Sequence, residues 1–261
     1  MKNYSTRDQI RDYWSVRAAT YDSSHGHGQI EEAERQAWLS LIAQKLGPGD
    51  GRKALDLATG TGTMATMMHS SGFAVTGLDF AEPMLALARS KAARLGMDIP
   101  FLLRDVEQTH EPDAKYDVLI ARNLVWTLVD PAATFSEWLR ILKPGGTLLI
   151  IDADHVSVTW ADRLRKLWSR WFHVRPDGHS MLTADQRAAH GAIVADIHFS
   201  RGARAEAVTG LLVEAGFVDV SADEGMNALR RAQSAGRGWI AWLQARIRHR
   251  FAICAKAPTA T

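Results

Sequence analysis

Two acidic residues end apolar segments in the first third of the chain. The stretch Ala54–Met64 runs from apolar residues through Asp56 into two glycines, and Val75–Asp79 ends in a second acid. Glycine lets the backbone adopt strained angles and admit a ligand closely, and the free N–H groups of a following helix point at that ligand. An acid at the end of the second strand can accept both hydroxyls of an adenosine ribose. We therefore predict a nucleotide-type pocket at the carboxyl edge of a parallel sheet.

The glycines of the first stretch support two interpretations. Gly60-x-Gly62-x-x-Ala65 fits the dinucleotide fingerprint, which is a weak signal by itself. The longer pattern Asp56-x-Ala58-x-Gly60-x-Gly62 resembles the first motif of class I S-adenosylmethionine (SAM) methyltransferases, which usually carry glycine where this chain has Ala58. That resemblance implies that Asp56 lies near the amino group of the cofactor.

Further features follow in the order that this family shows. The segment 14–22 resembles the N-terminal stretch that folds over the cofactor in many small-molecule methyltransferases, and 142–146 matches a Leu-Lys-Pro-Gly-Gly turn typical of the family. The resemblance implies that Asp79 holds the ribose, that Met84 packs on the adenine, and that Asp105 accepts the adenine amine; as a turn residue, Asp105 would have a structural role instead. The implied cofactor-binding residues are Tyr21, Asp56, Ala58, Thr59, Gly60, Gly62, Asp79, Phe80, Met84, Asp105, Val106, Arg122 and Asn123.

The elements that must position these residues alternate between strands and helices. We predict a single α/β domain over 1–261, with a Rossmann-like doubly wound seven-stranded sheet, mostly parallel, an antiparallel last strand, and helices on both faces. Within it, 1–49 forms an N-terminal helical cap, 50–152 the SAM-binding core, 156–200 a lid insertion, and 203–261 the C-terminal part of the sheet. Helices are expected over 6–20, 30–46 and 203–215.

The amino-acid composition and net charge limit the classes of partner that we expect for this chain. The chain has 261 residues, 46% of them hydrophobic, and a net charge of +2, so no strong field favours nucleic acid. Cys254 is the single cysteine, which fits a reducing compartment. The first residues lack the apolar core of a signal peptide, and no apolar run approaches a membrane span. We expect a cytoplasmic protein with a small-molecule substrate, no nucleic-acid or membrane partner, and a homodimer as one open oligomeric state.

No sequence motif identifies the residues for catalysis or for recognition of the acceptor. The candidates for a general base are His155, His25 and His27, with Tyr21 as a positioning residue. His25 and His27 lack a frame of further ligands, so no metal is predicted. In the insertion, Trp160, Leu164, Leu167, Trp168 and Trp171 recur at helical spacing, which fits either a helix packed on the domain or a lid over the substrate.

The sequence therefore predicts an enzyme that transfers a methyl group from SAM to a small-molecule acceptor, in secondary or cofactor metabolism, and releases S-adenosylhomocysteine (SAH). Positioning the nucleophile in line with the methyl group would carry much of the catalysis. The alternatives are an RNA methyltransferase, an NAD(P)-dependent oxidoreductase, and a non-catalytic SAM-binding regulator. A dehydrogenase would account only for the first two features of the ordered set.

Overall fold

The computed structural model describes residues 4–22, 30–157, 184–234 and 249–259, together with Leu243 and Ile247. These residues contain one sheet of seven strands, in the order β3-β2-β1-β4-β5-β7-β6. The strands are β1 Lys53–Leu57, β2 Ala74–Asp79, β3 Phe101–Leu103, β4 Tyr116–Arg122, β5 Leu142–Ala153, β6 Val218–Asp223 and β7 Arg250–Lys256. β1 to β5 run parallel, and β7 pairs antiparallel with β5 and β6. The predicted sheet is confirmed.

The central strands are buried on both faces. Successive side chains of a strand point to opposite sides, so Leu119 of β4 enters one apolar layer while Val118 and Ile120 enter the other. β5 divides in the same way, with Leu148 in the first layer and Leu149 in the second. Strands of this kind read as continuous apolar runs, which is why they stand out in the sequence.

Helices cover both layers. The first layer is packed by α5 (Pro131–Ile141), α6 (Ala184–Asp196) and α7 (Ala205–Glu214), and the second by α2 (Glu32–Leu46), α3 (Thr63–Ser70) and α8 (Asn227–Ser234). The helix α4 (Glu82–Arg94) packs beside β2 and β3. None of the helices in the described part of the chain combines the length and apolar character that a membrane crossing requires.

The first helix, α1 (Thr6–Tyr21), begins at a reciprocal cap, in which Ser5 and Asp8 each accept a backbone N–H from the other. It packs against α4 and α6 and lies over the carboxyl edge of the sheet. α2, by contrast, buries Trp38 and Ile42 in the second layer. α1 therefore lies at the edge, whereas α2 packs on one face of the sheet.

β5 begins within the stretch 142–146 that is predicted to be a turn. Its first residue, Leu142, pairs with Tyr116 across a register irregularity in β4. The Leu-Lys-Pro-Gly-Gly motif thus forms the irregular start of the strand.

The tryptophan-rich part of the insertion, over 158–183, lies outside the described residues. Its last part is described and is core: Ile193, Ile197 and Phe199 are buried in the first layer.

Candidate functional site

A cleft with two lobes opens at the carboxyl edge, where β1 and β4 lie side by side and the strand order reverses. Ligands of doubly wound folds bind at this position. The large lobe encloses about 700 Å³ of space not filled by protein atoms and the small lobe about 330 Å³, and both volumes include open solvent. The residues that line both lobes form their junction: Tyr21, Ala58, Gly60, Arg122 and Asn123.

Asp79 ends β2 at the wall of the large lobe. Its Oδ2 accepts the backbone N–H of Gly60 at 2.8 Å, and Oδ1 accepts that of Ala81 at 2.9 Å. The carboxylate therefore fixes the glycine turn after β1 as well as facing the lobe. Burial raises the pKa of Asp79 to about 6, although these N–H donors favour the ionised form.

Asp56 lies in β1 and faces the small lobe. It is 1% exposed, and its Oδ2 accepts the hydroxyl of Thr59 at 2.5 Å. Burial raises its pKa to about 7, against the opposing effects of the Thr59 hydroxyl, a backbone N–H of Ala65 and the charge of Arg122. An acid held in this state readily takes a cationic partner, because pairing would stabilise the carboxylate that burial disfavours.

The residues that follow β1 and β4 share an unusual backbone conformation. Ala58 and Asn123 both have φ of +53°, in the left-handed region that non-glycine residues seldom adopt. Strain of this kind is found where a site fixes the chain path. At Ala58 it gives a physical reason for the glycine that the resembling family usually carries.

Gly62 is not among the residues that line the two lobes. It caps α3 with φ of +79°, and a Cβ there would lie 3.0 Å from the Cβ of Ala88. Its role is the close packing of α3 on α4. The other residues that the resemblance implies as cofactor-binding all line one lobe or both.

Asp105 and Val106 follow β3 and line the far end of the large lobe. Oδ1 of Asp105 accepts the backbone N–H of Glu107 at 2.9 Å, so this acid also shapes its own turn. Phe80 and Met84 supply apolar surface in the same lobe. An apolar slot with an acid at its edge suits a flat heteroaromatic ring that carries an amino group.

α1 covers the cleft with side chains that lie within the predicted covering segment 14–22, and with two earlier ones, Arg7 and Ile10, that no motif indicates. Arg7, Ile10, Trp14 and Tyr21 line the large lobe, and their spacing of three, four and seven puts them on one helix face. Trp14 and Tyr21 meet edge to face, with ring centroids 5.9 Å apart. Burial raises the pKa of Tyr21 to about 12, so its hydroxyl stays protonated at neutral pH.

Ion pairs hold both ends of α1. Nη2 of Arg7 lies 2.6 Å from Oε2 of Glu107, a carboxylate that also accepts the backbone N–H of Val129. At the other end, Asp22 accepts the hydroxyl of Thr61 at 2.6 Å and pairs with Nζ of Lys91 at 3.2 Å. These contacts join α1 to Glu107 and Thr61, which line the cleft, and to Lys91 of α4.

Of the histidines predicted as general bases, His155 lies among the described residues. His155 lies beside Trp126, with ring centroids 5.2 Å apart, and its Nε2 is 3.4 Å from Oδ1 of Asp152. Trp126 donates its indole N–H to the carbonyl of Asn123 at 3.2 Å. His155 is not among the residues that line either lobe, and its role as a general base stays a prediction. His25 and His27 lie outside the described residues.

The described residues fit SAM by their chemistry. They offer an apolar slot with an acid at its edge, a buried acid beside the glycine turn, and a third acid in a small polar lobe. These match a purine base, a ribose and an ammonium group.

Comparisons with known proteins agree with that fit. Residues 55–150 match a family model described as a methyltransferase domain. The chain is 30% identical over 192 residues to a ubiquinone/menaquinone biosynthesis C-methyltransferase of Methylobacterium nodulans, covering 71% of this chain and 74% of the relative. It is 29% identical to the corresponding protein of Bdellovibrio bacteriovorus, covering 72% of this chain and 80% of that relative.

A similar fold is known in complex with the cofactor. The structure of phosphoethanolamine N-methyltransferase 2 of Haemonchus contortus with SAM has a TM-score of 0.60 and 16% identity, covering 99% of this chain and 58% of the other. At that identity the likeness concerns the fold, while the family model and the bacterial relatives concern the sequence. The chain therefore belongs to the class I SAM-dependent methyltransferases.

Proposed function

We propose that the two-lobed cleft binds SAM, with the adenosine part in the large lobe and the amino-acid part in the small lobe. One observation carries this proposal: acids from the ends of three neighbouring parallel strands, Asp56, Asp79 and Asp105, line one continuous cleft. Asp79 would hold the ribose hydroxyls, Asp105 the adenine amine, and Asp56 the ammonium group. The bound cofactor supplies an electrophilic methyl group.

The residues at the junction would align the acceptor. Tyr21 would act through its protonated hydroxyl and its ring, as a positioning residue and not as a base. Among the described residues that line the cleft there is no histidine. An acceptor atom that is already nucleophilic, such as an electron-rich ring carbon, suits this junction best.

For the acceptor we propose a small molecule of cofactor metabolism, with an electron-rich aromatic ring as the first class to test. The support is that relatives matched over most of their length are named as ubiquinone/menaquinone C-methyltransferases. Trp14, Ile10 and Leu128 line the large lobe with apolar surface, which is compatible with an aromatic acceptor approaching the junction from that side.

The direct test incubates the protein with SAM and a panel of hydroquinones, phenols, amines and thiols, and follows SAH and methylated product by mass spectrometry. We expect SAH to form with at least one electron-rich aromatic acceptor and to require that acceptor. Turnover confined to amines or thiols would overturn the acceptor class but leave the cofactor proposal in place. Methylation of added RNA and of none of the small molecules would favour the RNA alternative.

We also propose that the tryptophan-rich segment 158–183 acts as a lid. It follows β5 at the edge where the cleft opens, and lids exclude water and complete such sites. Because Ile193, Ile197 and Phe199 are core residues, the test removes only 158–183. We expect SAH affinity to persist and turnover to be lost. Full turnover in the deletion variant would refute the lid, and a lost circular dichroism signal would assign the segment to the core.

A cytoplasmic location and a homodimer stay predictions. The location is supported by Cys254, a half-buried thiol in the last strand and the only cysteine of the chain. Fractionation of the source cells would check the location. Light scattering of the purified protein would check the dimer, and a monomer mass at micromolar concentration would refute it.

A further inference from the structure

A buried arginine lies on α1, one helical turn before Tyr21. Arg17 is only 6% exposed; its Nη1 donates to the hydroxyl of Thr20 at 3.1 Å, and among the described residues no carboxylate forms an ion pair with it. A buried charge is costly unless a group of opposite charge compensates it, and a threonine hydroxyl supplies no charge. The described partners of Arg17 therefore leave its charge unbalanced.

Two imidazole nitrogens in the same region also lack hydrogen bonds. Nδ1 of His190 and Nε2 of His155 are buried, and neither has a hydrogen-bond partner among the described residues. Oδ1 of Asp152 lies 3.4 Å from Nε2 of His155 but outside hydrogen-bond geometry, and this carboxylate already accepts two backbone N–H groups. Because buried polar atoms in proteins nearly always have a partner, these two nitrogens indicate a binding site.

The aromatic rings of this region form one cluster between α1, α6 and the end of β5. The ring centroid of Trp126 lies 5.2 Å from that of His155 and 5.8 Å from that of His190. On the other side of His190, the ring of Tyr13 has its centroid 5.7 Å away. We call Tyr13, Arg17, Trp126, His155 and His190 the α1–α6 cluster.

Hydrogen-bond donors and a positive charge characterise the α1–α6 cluster. Burial raises the pKa of Tyr13, against the charge of Arg17, so its hydroxyl stays a donor at neutral pH. Burial, His155 and Arg17 all lower the pKa of His190, so its imidazole is neutral and carries one N–H. A guanidinium beside neutral donors suits a ligand with a single negative charge.

The cluster adjoins the junction of the two lobes without lining the cleft. Arg17 and Tyr21 are four residues apart on α1, which places their Cβ atoms about 5–6 Å from each other. Tyr21 lines both lobes, and Trp126 donates its indole N–H to the carbonyl of Asn123, another junction residue. A single aromatic ring with its substituents spans the distance from the junction to Arg17.

We propose that the α1–α6 cluster binds a carboxylate carried by the methyl acceptor, with Arg17 as its ion-pair partner. This inference rests on the proposed function and narrows the acceptor to an aromatic acid. The planar fork of a guanidinium matches the two oxygens of a carboxylate, and the hydroxyl of Tyr13 adds a further donor. The indole of Trp126 offers an apolar face to the ring that carries the carboxylate.

The experiment uses the whole chain saturated with SAH, so that a probe can occupy only the acceptor side. Calorimetry measures the binding of three hydroxybenzoates, salicylate, gentisate and protocatechuate, and of the amide of each. The amide keeps the ring and the shape of the acid but removes its charge. For the wild type we expect at least one acid to bind about tenfold or more tightly than its amide, because the amide loses the ion pair with Arg17.

Three variants test whether the cluster causes that preference. In Arg17→Gln the acid and its amide should bind within about twofold of each other, and SAH affinity should stay within about twofold of the wild type because Arg17 does not line the cleft. Tyr13→Phe removes only a hydroxyl and should weaken binding of the acid about threefold or more, and of the amide less. Arg11→Gln is the control on the same helix, since Arg11 pairs with Asp8 and Asp12; it should keep the full preference.

Each contrary result has a distinct meaning. Equal binding of acids and amides to the wild type, or binding of neither, overturns the inference and leaves the cofactor proposal in place. A preference for the acid that survives in Arg17→Gln also overturns it. If Arg17→Gln loses its circular dichroism signal, Tyr13→Phe decides, and an unchanged preference in that variant overturns the inference. If SAH does not bind the wild type, the proposed function itself fails.

Discussion

The base of the cleft and its cover are built in different ways. The base consists of strand ends and tight turns, in which acids such as Asp79 are held by backbone N–H groups. The cover is α1, joined to the base at its ends by the side-chain pairs Arg7–Glu107 and Asp22–Lys91. Backbone contacts in a parallel sheet are fixed by the fold, whereas partly exposed ion pairs contribute little and respond to salt. The base should therefore determine which ligand binds, and the cover how easily it enters and leaves.

The largest effect is expected at the base, from Asp79→Asn. The change removes the charge that would bind the ribose hydroxyls, and hydrogen bonds to charged groups are worth about 1.5–3 kcal/mol each. It also sets an amide N–H₂ against either the Gly60 or the Ala81 N–H. We expect SAH affinity to fall by about one hundredfold or more, measured by calorimetry, with the far-ultraviolet circular dichroism spectrum retained.

Asp98→Asn is the matched control, since Asp98 is exposed and precedes β3; its affinity should equal that of the wild type. Unchanged affinity in Asp79→Asn would make Asp79 a structural turn residue and would misplace the pocket.

Asp56 should give opposite pH trends for stability and for binding. Its pKa is raised to about 7 by burial in the ligand-free fold, so between its unfolded pKa and 7 the folded state holds the extra proton. Ligand-free stability from this group is then present at low pH and is lost as pH rises toward 7. Binding of an ammonium group needs the carboxylate, so SAH affinity should rise over the same range.

The measurement is thermal unfolding and calorimetry of wild type and Asp56→Asn between pH 5 and 8, roughly the range around the raised pKa. In Asp56→Asn the rise of affinity with pH should become smaller, and the part that remains comes from Asp79, whose pKa is raised to about 6. The ligand-free stability of Asp56→Asn should still fall partly as pH rises, because burial also raises the pKa of Asp79. Parallel pH profiles of affinity in the two proteins would contradict this role for Asp56.

A smaller effect is expected from the cover. Arg7→Gln and Asp22→Asn each remove one partly exposed ion pair at an end of α1, and pairs at a protein surface contribute about 0.2–1 kcal/mol. Each variant should weaken SAH binding by at most about fivefold, mainly through faster dissociation. In the wild type, the rate at which SAH dissociates should rise with salt concentration. In the double variant, which carries both Arg7→Gln and Asp22→Asn, that rise should be smaller.

Stopped-flow displacement of SAH measures the dissociation rates of the wild type and of the variants. Arg11→Gln is the control on the same helix, because Arg11 pairs with Asp8 and Asp12 on the exposed face. If Arg7→Gln abolished binding, α1 would belong to the base and the comparison would fail.

The smallest effect concerns the strained turn of the base. Ala58→Gly relieves a left-handed residue at φ of +53° and should raise the free energy of unfolding by about 0.5–1 kcal/mol. Ala86→Gly, at an exposed position inside α4, should lower it by about 1 kcal/mol. Urea denaturation of both variants provides the comparison. A loss of stability in Ala58→Gly would remove the argument for strain.

The base and the helix that covers it were predictable from the sequence, whereas the contacts that hold the cover in place were not. Asp56, Asp79 and Asp105 each end or follow an apolar run, and parallel strands bring such ends to one edge. Arg7 and Glu107 meet only because α1 folds back across the sheet, and no local pattern encodes that contact. The stacking of Arg122 on Trp38 likewise joins the strand end to a helix that packs on the other layer. The contact of His155 with Trp126 also joins distant segments, and the sequence pattern around His155 does not encode it.

The most direct test of the account is the ligand that the cleft selects. Calorimetry of the wild-type protein with SAM, SAH and NAD⁺ in parallel should show saturable binding of the first two at one site per chain and no binding of the third. The acids at the base would recognise the adenosine and amino-acid parts, and no group in the described cleft is proposed to hold a pyrophosphate. Tight binding of NAD⁺ without binding of SAM or SAH would contradict the account.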